Sequence, residues 1–248
     1  MRIIDTIDQN TDQWSQLRVG RITASRAKLI MSEPRSKEAR ETGKLSKQAE
    51  TLMNQMLAER ITGNYSAGNG MPGVRAIEHG NQWEPKARQV YEEIKGTPVK
   101  QVGFIEHDTL AAGCSPDGLI GEVGGLEIKC PYDSSVHMTT LLSQTMPTEH
   151  KPQIQFSLWI SNREWWDFMS YDPRCPEPHF AAVILRQERD EEYIQTIDRR
   201  AKRFLDEMRS RWEALKMFHK SPIESEVHRI AHMCVEPITL TFNGEIIG

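Results

Sequence analysis

The stretch that most constrains this chain runs from Gly113 to Pro131: G-C-S-P-D-G-L-I-G-E-V-G-G-L-E-I-K-C-P. Gly118, Gly121, Gly124 and Gly125 supply turn chemistry, because glycine reaches positive φ without steric cost. The pattern predicts two short antiparallel strands joined by a glycine-rich turn. Side chains alternate faces along a strand, so Glu127 and Lys129 project together while Ile128 points into the core. The hairpin brings Asp117 back beside them. Two carboxylates and an ammonium therefore gather at one end of a small sheet.

Such a cluster suits metal-assisted phosphodiester cleavage. Mg²⁺ prefers hard oxygen ligands, usually one or two carboxylates completed by waters and substrate phosphate. One ion, or a pair roughly 3.5–4 Å apart, activates water and stabilises the leaving oxygen. Asp117 and Glu127 are the candidate ligands, with the Ile128 carbonyl assisting, and Mn²⁺ is an expected substitute. Lys129 carries a compact charge on a flexible stem, suited to holding the attacking water or the scissile phosphate. A bare D-x(n)-E-x-K pattern also arises on surface hairpins. Here the strand-turn-strand context, with Ser-Pro before the Asp and Cys-Pro after the Lys, favours a site.

The 248 residues suffice for one well-buried α/β domain and do not compel two. No apolar run approaches the ~20 residues of a transmembrane helix, and acids stand near the start where a signal peptide would be apolar. The four cysteines (Cys114, Cys130, Cys175, Cys234) show neither C-x-x-C spacing nor a disulfide framework, which fits a reducing cytoplasm. A formal net charge of −4 does not suggest a nucleic-acid binder. Between Arg18 and Lys47, however, nine basic residues face three glutamates, a pattern that fits a locally positive groove.

Taken in order, T-D-Q-W-S-Q-L-R reads as a helix with Trp14 and Leu17 at core spacing, and Thr23 as the N-cap of a second short helix. Arg18 and Ser25 flank that helix start, where backbone N–H groups and a forked guanidinium suit an anion. Residues 33–43 look loop-like and basic. Leu45 to Ile61 reads as an amphipathic helix with a core Met stripe. Residues 62–73 form a glycine-rich loop lacking the G-K-[ST] of a P-loop. Residues 74–95 read as helix, with Pro85 placing Glu84 near a kink or a helix start. Strands are expected around Val99 to Glu106, Leu110 to Cys114, Trp165 to Tyr171 and Phe180 to Leu185. Two helices over 134–160 break at Met146-Pro147, and a long amphipathic helix runs from Glu188 to Phe218. In the tail, His228, His232 and Cys234 could form half a zinc site, but no second ligand pair accompanies them, so a helix face followed by a strand (Ile238 to Phe242) is simpler.

The wording S-P-D-G…G-L-E-I-K-C-P resembles the lambda exonuclease-like, viral-type recombination family of the PD-(D/E)XK nucleases. W-S-Q-L-R-V-G-R-I-T-A-S, G-N-Q-W-E-P-K-A-R, Q-I-Q-F-S-L-W and Y-D-P-R extend the likeness in consistent order over about residues 10–215. The resemblance implies a restriction-endonuclease-like α/β fold, a mixed central sheet flanked by helices, spanning 1–220. A C-terminal extension, 221–248, is expected to pack on the same domain. It also implies a 5′→3′ exonuclease that digests one strand of double-stranded DNA and leaves 3′ overhangs. Glu84 and Gln153 would support the metal site, Arg18, Ser25 and Ser115 would hold the terminal 5′-phosphate, and Arg35 would contact DNA. Ile77 matches an apolar strand-separating position. A homotrimer and a single-strand-annealing partner come from the resemblance alone. Ser134, Ser135 and Val136 stand where the family carries basic residues, so those DNA contacts are not carried over. An endonuclease of the same fold and a non-catalytic DNA-binding or assembly module are the alternatives.

Overall fold

The computed structural model describes residues 1–66, 74–218, 240–242 and 245–247. Strand β1 (Arg2–Ile4), helix α1 (Asp12–Arg18) and strand β2 (Ile22–Thr23) lead through a 3-10 turn, Ala24–Arg26, into α2 (Ala27–Met31). Three helices follow: α3 (Lys37–Glu41), α4 (Lys47–Thr62) and α5 (Val74–Lys95). Next come β3 (Phe104–Glu106), β4 (Ala112–Cys114), β5 (Gly118–Ile120) and β6 (Gly124–Lys129). Helix α6 (Ser134–Ser143) precedes a 3-10 turn, Thr148–His150, that runs into α7 (Lys151–Ser161). The chain continues through β7 (Trp165–Tyr171), α8 (Pro178–Ala181), β8 (Ala182–Glu188) and α9 (Glu191–Phe218) to an antiparallel pair, β9 (Leu240–Phe242) and β10 (Glu245–Ile247). Helix starts follow capping chemistry: the side chains of Thr11, Ser36, Ser46 and Asp133 accept from the first-turn amides of α1, α3, α4 and α6.

The mixed sheet is present as two four-stranded halves, ordered β1-β3-β4-β2 and β5-β6-β7-β8. Lys100 and Leu119 form an antiparallel bridge, exchanging two 2.8 Å amide hydrogen bonds. Strand β6 pairs antiparallel with β5 and parallel with β7, so it is interior and buried on both faces. On one face Leu126 and Ile128 pack with Ala87 and Tyr91 of α5. The larger core joins Trp166 and Phe168 of β7 to α7, α4 and the buried stripe Ile194, Ile197, Ala201, Phe204, Met208 and Trp212 of α9. The second half-sheet is thus held between α5 and the α7/α9 layer. Among the described residues no helix is long and apolar enough to cross a membrane.

Several local expectations change. Helix α5 keeps its expected 74–95 span, and because it runs through Pro85, Glu84 sits inside the helix and not at a start. Proline has no N–H to offer the Asn81 carbonyl, and packing of Ala87 and Tyr91 against β6 holds the helix together across that gap. Residues 33–43 are not loop throughout, because Ser36 caps the short helix α3. The Val99 to Glu106 strand shrinks to β3, and α8 delays β8 to Ala182. Of the four motif glycines only Gly121, at φ 51°, has turn geometry. Gly118, Gly124 and Gly125 lie in strands, where a β-carbon would sit 2.0 Å from Val99, 2.2 Å from Trp165 and 2.3 Å from Trp166. They are glycines for close approach, not for turning. Residues 67–73 of the glycine-rich loop, together with His228, His232 and Cys234, lie outside the described residues.

Candidate active site

The β5/β6 pairing registers Gly118 opposite Leu126, which returns Asp117 to the side of Ile128. Asp117 Oδ2 accepts the Ile128 amide at 2.6 Å. Glu127, only 2% exposed, points away from Ile128 toward α7. Its Oε1 accepts both the Lys129 ammonium and the Gln153 amide, each at 2.5 Å. Glu84 enters from α5, on the opposite layer, and is paired with Arg88. Arg88 in turn donates through Nε to the Asp117 carbonyl at 2.8 Å. Five sequence-predicted residues, Asp117, Glu127, Lys129, Glu84 and Gln153, therefore share one recess.

Charge in that recess is lopsided. Burial, and then the Glu127 and Glu84 carboxylates, raise the Asp117 pKa well above the usual carboxylate range. Burial likewise raises Glu84, against the opposing pull of Arg88. For Lys129, burial pulls downward, but Glu127 and Asp117 outweigh it and hold the ammonium above the ordinary lysine value. Asp117 Oδ1 and Glu127 Oε2 accept no hydrogen bond from the described residues, so each carboxylate keeps one oxygen uncommitted. No group of three or more His, Cys, Asp or Glu side chains among the described residues forms a ready-made cage. Two carboxylates with the Ile128 carbonyl nonetheless fit a hard cation that completes its shell with water and phosphate.

A second cluster lies close by. Arg18 stacks between the Trp14 ring (4.1 Å) and the Tyr65 ring (4.4 Å) and reaches Ser25 Oγ at 3.4 Å. Trp14 Nε1 donates to Ser115 Oγ at 2.8 Å, so Arg18, Ser25 and Ser115 are gathered around one indole. The Arg18 Nε is buried with no partner among the described residues. A cavity of about 140 Å³ joins this cluster to the catalytic recess, with Ser25 and Lys28 on one wall and Lys129, His150 and Gln153 on the other. Arg35 is exposed outside it, on the segment preceding α3, and its carbonyl accepts from Arg40. Ile77 is 59% exposed on α5.

Sequence reasoning missed four contributors. Tyr65 sits in a loop whose apposition to Arg18 has no periodic signal. Lys28 and His150 line the joining cavity, and for His150 its position three residues before Gln153 was an available clue. Burial and the nearby Lys129 drive the His150 imidazole down to about 4, so it is neutral at physiological pH. Arg174, within the Y-D-P-R motif, clamps the Pro131 and Tyr132 carbonyls at 2.9 and 2.7 Å, just beyond the catalytic strand.

Two mixed half-sheets, with Asp, Glu and Lys at the head of an interior strand and a helix-borne Gln behind them, are the architecture of the PD-(D/E)XK superfamily. The YqaJ-like viral recombinase domain matches residues 13–164, more than half of the chain, and the chain belongs to that family. Among solved structures, the alkaline exonuclease LHK-Exo of Laribacter hongkongensis is similar at 32% identity and a TM-score of 0.73, covering 85% of this chain and 98% of that one. LHK-Exo in complex with dAMP matches at 31% identity with the same coverage. A phage-related exonuclease of Haemophilus somnus 129PT, at 18% identity and a TM-score of 0.62, shares the fold over 77% of this chain and 96% of its own. The Escherichia coli K12 protein called ExoD is 28% identical over 65 residues, 26% of this chain and 72% of that protein.

Proposed function

We propose that this protein is a Mg²⁺-dependent exonuclease that degrades one strand of linear double-stranded DNA from its 5′ end, releasing mononucleotides and leaving a 3′ single strand for recombination. One observation carries the reading: Lys129 and Gln153, which both hold Glu127, share a cavity wall with Ser25, and Ser25 Oγ lies 3.4 Å from the Arg18 guanidinium. A site for a terminal phosphate beside a site for the scissile one is what stepwise removal of 5′ nucleotides requires. The likeness to LHK-Exo, which was crystallised with dAMP, supports the same substrate class.

Asp117, Glu127 and the Ile128 carbonyl would hold Mg²⁺, with Mn²⁺ substituting. When bound, the metal supplies an activated water and charge for the departing oxygen. Lys129, kept cationic by its carboxylate neighbours, steadies the scissile phosphate and the attacking water. Gln153 fixes Glu127 by occupying Oε1, which leaves Oε2 uncommitted. Glu84, restrained by Arg88, completes the negative recess. Arg18 and Ser25, with Ser115 behind Trp14, take the 5′-phosphate, and Arg35 touches the duplex. A ring-shaped homotrimer, a single-strand-annealing partner and a reducing cytoplasm belong to the same reading. The free thiols Cys114, Cys130 and Cys175 fit that compartment.

The test is a time course on linear duplex DNA with one 5′ end phosphorylated and the other bearing hydroxyl, in Mg²⁺ or in EDTA. Earlier loss of the phosphorylated strand, with metal only, is expected. Internal fragments would indicate an endonuclease, and binding without cleavage in any metal would indicate a non-catalytic module. Lys129→Ala is expected to slow cleavage by at least about 100-fold, the scale of one transition-state charge contact.

A further inference from the structure

The cations of residues 18–47 are not all used by the site described above. Helix α2 has the catalytic cavity at its start and a second cavity, of about 150 Å³, at its end. Arg40, Lys44, Arg200 and Arg203 line that second cavity, with Glu33 as its one carboxylate. They come from parts of the chain about 160 residues apart, the α3 region and α9.

Two of the four cations build the walls. Arg40 donates to the Pro34 and Arg35 carbonyls at 3.0 and 3.1 Å, which shapes the segment before α3. Arg200 donates to the Met31 carbonyl and pairs with Glu33 at 2.8 Å. The other two are uncommitted: neither Lys44 nor Arg203 makes a side-chain hydrogen bond or ion pair with the described residues, and both are exposed. Gly43 is what lets Arg203 lie over the loop. Its φ is 67°, and a β-carbon there would stand 2.3 Å from Arg203 Nη1.

We propose that this cavity is a second phosphate-binding subsite, in which Lys44 and Arg203 grip the backbone of the duplex behind the digested end. The proposal rests on the nuclease reading above for its substrate. Two free cations over a rim already neutralised by Glu33 and Arg200 leave a net positive concavity, which calls for an anion. The anion is a polymer's phosphate for two reasons. Exposed cations without enclosing donors hold a single ion poorly, and they gain when many phosphates share one ligand. The site is also separated from the catalytic cavity only by α2, about 7 Å long at ~1.5 Å per residue. That distance lies well inside one ~34 Å helical turn of a duplex, and Arg35 follows Pro34 of the second cavity's own lining directly in the chain.

The experiment measures affinity for a fluorescent blunt duplex by anisotropy, without divalent metal, across 50–200 mM salt. It compares the wild type, a Lys44→Ala/Arg203→Ala double variant and a charge-preserving Lys44→Arg/Arg203→Lys pair. The double alanine variant is expected to bind about tenfold more weakly at 100 mM salt, with the slope of log affinity against log salt reduced by about two. The charge-preserving pair should keep the wild-type slope. Lys44→Ala alone, at an exposed position after α3, should reduce the slope by about one, which guards against a double variant that folds badly. An unchanged slope in the alanine variants overturns the proposal, and so does an equal loss in the charge-preserving pair. If wild-type protein binds with the expected salt dependence but cleaves nothing in Mg²⁺, the nuclease reading fails while the phosphate subsite stands.

Discussion

Asp172 is fully buried one residue beyond β7, and Arg174 wraps it with Nε at 2.7 Å, Nη2 at 3.0 Å and its own amide at 3.0 Å. Burial alone would raise this carboxyl, but the hydrogen bonds from Arg174 and Ser134 overcome it and hold the pKa at about 2. A depressed carboxyl stabilises the fold above its unfolded value of 3.8, and that contribution is lost as pH falls toward 2. Arg174→Ala is expected to cost about 3–5 kcal/mol at pH 7, since it leaves a buried charge unpaired. The deficit should shrink as pH is lowered toward 3 and the stranded Asp172 takes a proton. Urea unfolding at several pH values measures this, and a penalty independent of pH would refute the ion-pair account. The glycines give a second prediction at this scale. Gly125→Ala drives a methyl into Trp166 and should cost about 1–3 kcal/mol as overpacking. Gly121→Ala meets nothing within 4 Å and should cost only the ~1–2 kcal/mol of left-handed backbone. Equal thermal shifts, with cleavage equally affected, would remove the distinction between approach and turning.

At the scale of elements, the 3-10 turn that presents Ser25 is tied to the rest of the fold by an ion pair, beyond its own Ala27-to-Ala24 backbone hydrogen bond. Arg26 on that turn pairs with Glu59 of α4, which is 1% exposed and also accepts the amides of Gly20 and Ser66. Glu59→Ala should therefore destabilise the protein by roughly 3–5 kcal/mol and loosen the Arg18/Ser25 cluster. Lost discrimination between phosphorylated and hydroxyl 5′ ends would report the second effect, and retained discrimination in the folded variant would sink it. Such anchors explain what could and could not be read from the sequence. Strand β7, helix α9 and the break before α7 were legible because periodicity and proline are local signals. The Glu127/Lys129 pair was legible for the same reason, since strand alternation alone makes residues two apart share a face. Arg26 with Glu59 and Arg174 with Tyr132 lie 33 and 42 residues apart, and no local pattern joins them. Helix α5 was legible over residues 74–95, and only a start at Pro85 falls away, since packing of α5 on β6 carries the helix through it. The strand glycines misled because their purpose lies with side chains from elsewhere in the chain, Val99 for Gly118 and the β7 tryptophans for Gly124 and Gly125.

For the whole molecule, the recess sets folding against activity. Burial, with the Glu127 carboxylate nearby, raises the cost of ionising both Asp117 and Glu84, and Lys129 offsets only part of it. Natural proteins tolerate such strain where function needs it, and relieving it tends to stabilise the fold while lowering activity. Asp117→Asn removes one negative charge yet keeps a carbonyl oxygen that can accept the Ile128 amide as Asp117 Oδ2 does now. The metal-free variant should therefore melt higher than the metal-free wild type, by about 2–4 °C for each kcal/mol of repulsion relieved. Added Mg²⁺ should raise the melting temperature of the wild type, because a ligand that binds only the folded state stabilises it by mass action. It should do little for the variant, which has lost a ligand charge, and cleavage should fall with it. Calorimetric melts with and without Mg²⁺ separate the outcomes without reference to turnover. A variant that melts lower than the wild type in EDTA would mean the carboxylates are not in conflict. A wild type unmoved by Mg²⁺ would mean that Asp117 and Glu127 do not hold the ion.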